Sequence, residues 1–155
     1  MLFAWSASKT FTHYGLRVGA LVACVGDEKE RKMIESALSY SCRGTWSNCT
    51  RGGQAAIARL LVDRDLARAC DAERAELKAK LRARVDAFNT LARTKGLSYP
   101  RYEGGFFVTV FDDAARAKAE SMRAAGVFVV PSAKSLRIAL CSVAERDVAR
   151  LVDAL

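Results

Sequence analysis

The sequence has few of the residues that usually announce a site. It holds two prolines and a single histidine, His13, and one histidine cannot build a metal site without partners. Its five cysteines (Cys24, Cys42, Cys49, Cys70, Cys141) are an odd number. None form a C-x-x-C pair, so the spacing fits neither a zinc site nor a disulfide framework. They are read as reduced thiols, several buried as small hydrophobes, and no metal ligand set is assigned. No apolar run approaches the roughly 20 residues of a membrane span, and the first residues lack a basic signal-peptide start. A cytoplasmic location with no membrane partner is therefore expected. Internal repeats, low-complexity tracts and disordered linkers are also missing.

Charge of one sign is not missing, but it is diluted. The formal net charge is +8, which raises the question of nucleic acid. Between Arg64 and Lys95, however, the basic residues alternate with Asp65, Asp71, Glu73, Glu76 and Asp86, the pattern of a solvated helix face with i,i+4 pairing. No DNA- or RNA-binding motif accompanies them, and no nucleic-acid partner is expected. Positive potential also suits an anionic cofactor and carboxylate substrates.

What is present can form a core. About half of the 155 residues are apolar, enough for one large domain or one and a half small ones, burying roughly two thirds of the chain's surface. Met1–Trp5 reads as a buried strand and Arg17–Val25 as a second. Asp27 caps a helix running to Ser41, with Met33, Ala37 and Tyr40, or Ile34 and Leu38, as its inward stripe. Gly44–Thr50 is a break, and Gly53–Val62 a helix with Ile57, Leu60 and Leu61 on one side. Asp65 to about Arg93 is a long helix with Leu77, Leu81, Val85, Phe88 and Leu91/Ala92 in one stripe, stopped at Lys95-Gly96. After Tyr99 the pattern becomes that of a small sheet covered by helices on one face. Its expected parts are a strand to Phe111, a helix to Ala125, short strands Val127–Val130 and Leu136–Cys141, and a closing helix Ala144–Leu155. Trp5 is expected in the core. The fold class is α/β.

The chemistry gathers in Ser6 to Arg17, S-A-S-K-T-F-T-H-Y-G-L-R. Lys9 follows the apolar run Leu2–Trp5, and at the end of a buried strand poor solvation favours the neutral amine that attacks a carbonyl. Ser6 and Ser8 supply hydroxyls, and Arg17 a guanidinium fork, which together suit a phosphate. An aldehyde that also carries a phosphate is pyridoxal 5'-phosphate.

With S-K-T-F-x-x-Y-G-L-R-V-G in place, the chain resembles the class I aminotransferases of fold type I, the aspartate and aromatic aminotransferase group. The resemblance runs over the whole chain but covers the second half of a family member. It implies that residues 1–64 end a large cofactor-binding domain. Residues 65–155 would then form a linking helix and a small α+β domain. It implies Lys9 as the Schiff-base lysine, Ser6, Ser8 and Arg17 as cofactor-phosphate contacts, and Tyr14-Gly15 as an aromatic and turn pair. Arg137, in L-R-I-A-L-C after the V-V-P-S turn, takes the place of the arginine that binds the substrate's α-carboxylate, with Lys134 as the alternative cation. Arg43, in R-G-T-W-S-N, takes the place of the arginine that reaches into a neighbouring subunit and holds a side-chain carboxylate. Asn48 lies on the site wall. The implied substrates are an amino acid and a 2-oxo acid, with 2-oxoglutarate and glutamate as one pair. The implied partner is a second copy, or a chain carrying the first half with its pyridine-pairing aspartate. The alternative function is that of an inactive remnant serving as an interaction module.

Overall fold

Leu2–Ser6 (β1) pairs antiparallel with Gly19–Ala23 (β2), in a register running from Leu2 opposite Ala23 to Ser6 opposite Gly19. The computed structural model describes all 155 residues, Met1–Leu155, in two compact units, Met1–Asp71 and Ala72–Leu155. The class is α/β, as expected. No helix is long and apolar enough to cross a membrane.

In the first unit β1 gives way at Ser6 to a short helix, Ala7–Thr10 (α1). The Ser6 hydroxyl caps it by accepting from the Ser8 amide at 3.2 Å. The chain then makes a 3₁₀ turn at Tyr14–Leu16, and Arg17 adopts left-handed backbone angles, φ 53 and ψ 46. From there it enters β2, with the Ala7 amide donating to the Val18 carbonyl at 3.0 Å. Two helices follow, Glu28–Thr45 (α2) and Arg51–Val62 (α3). Asp27 caps α2 as expected, its carboxylate accepting from the Glu30 amide at 2.7 Å. A small core of Ala7, Val18 and Ile57, flanked by Trp5, Phe11 and Leu60, fastens α1 and the start of β2 to α3. The Trp5 and Phe11 rings meet edge to face, 6.2 Å between centroids.

Four expectations for this unit are corrected. β1 is not a buried strand: Leu2 is 64% and Phe3 56% exposed, because β2 is its one paired neighbour and of its residues only Trp5 reaches the small core. Lys9 is consequently exposed and lies on α1 rather than at a strand end. The supposed inward stripe of α2 is not inward either, since that helix has no buried residue and Met33 and Tyr40 face solvent. In α3 only Ile57 and Leu60 turn inward, while Leu61 is 67% exposed. Two boundaries move as well: α2 continues through Gly44 to Thr45, and the second strand begins at Gly19 rather than Arg17.

The helix Arg64–Thr94 (α4) starts in the first unit and ends in the second. Its stripe is buried at Val85, Phe88 and Ala92, whereas Leu77 is 48% exposed. Gly96, at φ 71, reverses the chain. The Leu97 amide then donates to the Ala92 carbonyl at 2.9 Å, which satisfies a carbonyl of the last turn.

The second unit holds Phe107–Phe111 (β3), Ala115–Ala124 (α5), Val130–Pro131 (β4), Ser135–Ala139 (β5) and Val148–Ala154 (α6). Its antiparallel sheet has the order β3-β5-β4. Alternation sends Val108, Val110, Leu136 and Ile138 into a core with Phe88, Met122, Leu140, Val148, Leu151 and Val152. The alternate residues Phe107, Phe111 and Arg137 are exposed. β4 is Val130–Pro131 rather than Val127–Val130, because those two residues alone of the stretch pair with β5. β5 ends at Ala139 in a 3₁₀ turn, and the closing helix is preceded by another at Glu145–Asp147.

Candidate functional site

Ser6, Ser8, Lys9, Tyr14 and Arg17 are gathered by the α1 segment and the turn that follows it. The Ser6 hydroxyl donates to the Ser8 hydroxyl at 3.0 Å. Ser8 is 9% exposed, so its hydroxyl is held by the fold. The Lys9 ammonium sits over the Tyr14 ring, with Nζ 4.3 Å from the centroid. The Arg17 guanidinium addresses the same ring at 5.1 Å, and its Nη1 donates to the Tyr14 carbonyl at 2.6 Å. The left-handed backbone at Arg17 folds its side chain back over the turn.

Two like charges share one ring. The negative face of the aromatic ring offsets part of the repulsion, and a phosphate would offset more. Two hydroxyls and a guanidinium are the donors a phosphate takes, and an amine beside them is what an aldehyde takes. The residues present therefore fit pyridoxal phosphate as a donor set. Sequence reasoning noticed Tyr14 only as an aromatic before a turn. Its spacing, five residues after Lys9 and three before Arg17, was the available signal for the shared ring.

Gly53 was missed as well. A Cβ at this position would lie 2.6 Å from Val18 Cγ2 and 3.4 Å from Leu16 Cβ. α3 therefore packs directly on the Leu16–Val18 segment that carries Arg17.

Arg43 and Asn48 are in the same unit, near the end of α2, and make local hydrogen bonds. Arg43 Nη1 donates to the Ser47 hydroxyl at 2.6 Å, and Asn48 Oδ1 accepts from the Cys49 amide at 2.8 Å. Ser47 is left-handed at φ 73 and turns the chain there. Between them Trp46 is 66% exposed. The Cys42 thiol is pushed above its ordinary value by burial first and by nearby Cys49 second, with a Trp46 hydrogen bond opposing.

Arg137 belongs to the second unit. On β5 it stands opposite Thr109 of β3 and Val130 of β4, exposed, with its guanidinium over the Phe107 ring at 5.1 Å. The alternative cation, Lys134, pairs with Asp113 at 3.3 Å in the turn before β5. No group of three or more His, Cys, Asp or Glu is placed to hold a metal.

Among solved structures, the chain is similar to an aminotransferase from Anaerococcus prevotii, with a TM-score of 0.89 and 32% identity over 99% of this chain and 38% of that one. It shares its fold with the Thermus thermophilus aspartate aminotransferase with maleate (TM-score 0.78, 21% identity, 99% of this chain and 40% of that one). The broad specificity aminotransferase from Leishmania mexicana has the same fold (TM-score 0.80, 18% identity, 99% and 38%). The chain thus spans about two fifths of the length of these structures. No curated protein sequence matches it. The sequence pattern of the family aminotransferase class I and II matches residues 1–155, so the Ser-x-Ser-Lys turn, the long helix and the small sheet are all read within one family, and this chain belongs to the class I and II aminotransferases.

Proposed function

We propose that the chain takes part in amino-group transfer between an amino acid and a 2-oxo acid, with Lys9 as the Schiff-base lysine for pyridoxal 5'-phosphate. The observation that carries this reading is the convergence of Lys9 and Arg17 on the Tyr14 ring. When bound, the cofactor supplies an aldehyde that condenses with amines and a ring that takes up electrons from the substrate's α-carbon.

The chain's own residues divide the remaining work. Ser6 and Ser8 donate hydrogen bonds to the phosphate and Arg17 forks onto it, which fixes the cofactor's position. Lys9 first holds the cofactor. With a substrate bound, the Lys9 Nζ would take the proton from the substrate's Cα and return it. Arg137 binds the α-carboxylate bidentately, a geometry that lysine does not reproduce. Arg43 holds the second carboxylate of a dicarboxylic substrate in the site of a neighbouring subunit, which selects 2-oxoglutarate and glutamate, and Asn48 lines that wall. Residues 1–64 serve as the end of a cofactor-binding domain, and 65–155 as a linking helix and small domain. The enzyme is a homodimer, or pairs with a chain carrying the first half and its pyridine-pairing carboxylate.

The test is the visible spectrum of the chain with pyridoxal phosphate, followed by borohydride reduction and peptide mapping. A label on Lys9 that disappears in Lys9→Ala supports the reading. Labels scattered over the other lysines overturn it for this chain.

A further inference from the structure

We propose that Tyr14 is a positioning residue, whose ring holds the Lys9 amine and the Arg17 guanidinium together so that one ligand meets both. This inference rests on the cofactor reading above and adds to it a residue with no role of its own in that scheme.

The geometry is specific to the ring. Lys9 Nζ and Arg17 Cζ lie 4.3 Å and 5.1 Å from a single centroid, although Lys9 lies in α1 and Arg17 just after the 3₁₀ turn. Arg17 is tied to Tyr14 a second time through the backbone carbonyl, at 2.6 Å. The ring position is therefore set by the turn, and both cations lie against its face. Tyr14 itself is 64% exposed and absent from the small core that holds this unit, so stability alone does not account for its placement.

Physical chemistry gives the ring a purpose. Lysine and arginine are long side chains, and each loses rotamer freedom when it is fixed on a ligand. Two cations brought close also repel. An aromatic face attracts both, so it lowers the cost of having them near each other before an anion arrives. Removing the face should weaken the hold on both cations and let them separate more readily. The loss should be about twofold to fivefold per cation, the factor that an exposed cation–π contact is worth.

The experiment compares wild type, Tyr14→Phe and Tyr14→Leu with two probes that separate the cations. Inorganic phosphate binding, measured by calorimetry, reads the Arg17 side. The rate at which pyridoxal, which has no phosphate, is trapped on Lys9 by borohydride reads the amine side. Ring-current shifts of the Lys9 ε-protons and Arg17 δ-protons read the placement with no ligand present. The expected result is that both probes and both shifts survive in Tyr14→Phe and fall together in Tyr14→Leu, with melting unchanged. Overturning results are a Leu variant that matches wild type in either probe, or a Phe variant as impaired as Leu, which would give the role to the hydroxyl. If the wild-type chain shows the ring-current shifts but binds neither probe, the cofactor reading has failed while the ring geometry stands. If wild type binds both probes without the shifts, the cofactor reading stands and the positioning role is lost.

Discussion

Gly53 in α3 and Val18, just before β2, are in such close contact that a methyl group on Gly53 would meet Val18 Cγ2 at 2.6 Å. Val18 follows Arg17 directly and is 6% exposed, so it cannot yield without moving the arginine. Gly53→Ala is therefore expected to destabilise the chain by about 1–3 kcal/mol, the range for overpacking a filled site. This is opposite in sign to the usual gain from replacing a helical glycine. Adding Val18→Ala should recover part of the loss, since the two side chains would then share the space. Urea unfolding of the two single variants and the double variant measures the coupling. Strict additivity would remove the close packing as the cause.

Arg137 and Phe107 form the second contact with a functional reading. The guanidinium lies over the ring on the exposed face of the sheet, while the opposite face carries the core. Arg137→Ala should therefore leave urea stability within about 0.5 kcal/mol of wild type, as for an ordinary surface change. In an enzyme reconstituted with the first half, the same change should lower kcat/KM for amino acids by roughly 10- to 100-fold, the value of a charge-assisted hydrogen bond pair. Arg137→Lys should rescue little, because a point charge lacks the fork. A stability loss as large as that of a core variant would assign Arg137 to the fold instead.

The pattern of hits and misses in the sequence has a physical logic. Strong local signals read correctly: Asp27 as a cap, Gly96 as a stop, and the strand that ends at Phe111. Side chains that lie outside the local chain read poorly. Periodicity located an apolar stripe on α2, yet periodicity says only that residues share a face, and nothing in this unit covers Met33 or Tyr40. The apolar run Leu2–Trp5 failed in the same way, since a run of hydrophobic residues fits a buried strand and an uncovered one equally well. Ser6, Ser8, Lys9 and Arg17 could be picked out together because they lie within twelve consecutive positions. The meeting of Lys9 and Arg17 at the Tyr14 ring could not, because it depends on the left-handed turn at Arg17. Gly53 carried no mark distinguishing a close approach from a helix start.

The Cys42 thiol gives a test of the stretch around Arg43. Burial raises it above the ordinary value, and nearby Cys49 raises it further. A thiol so placed has a smaller thiolate fraction near neutral pH, and alkylation follows the thiolate. Iodoacetamide at pH 8 should therefore modify Cys42 more slowly than the exposed Cys24. Cys49→Ser should speed Cys42 without bringing it level with Cys24, because burial is the larger cause. Peptide mass mapping over a time course gives both rates, and equal rates at Cys42 and Cys24 in the wild-type chain would contradict this placement.

Tyr102 provides the alkaline prediction. It is 8% exposed, its hydroxyl donates to the Gly105 carbonyl at 2.8 Å, and its ring meets Phe88 edge to face. Burial, and secondarily the nearby Cys141, raise its ionisation above the ordinary value, which is about 10. Between the unfolded and folded values the unfolded chain has lost this proton while the folded chain keeps it. Unfolding then releases a proton, and stability falls as pH rises. The contribution is complete below about pH 10 and is lost through the folded value. Tyr102→Phe should cost about 0.5–1.5 kcal/mol at neutral pH for the missing hydrogen bond. The wild-type advantage over this variant should stay flat to about pH 10 and shrink above it. Urea unfolding of both proteins between about pH 8 and 11 follows the difference directly, bracketing the ordinary tyrosine value. A difference that grows with pH would mean that the folded state favours the phenolate, against the burial of this side chain.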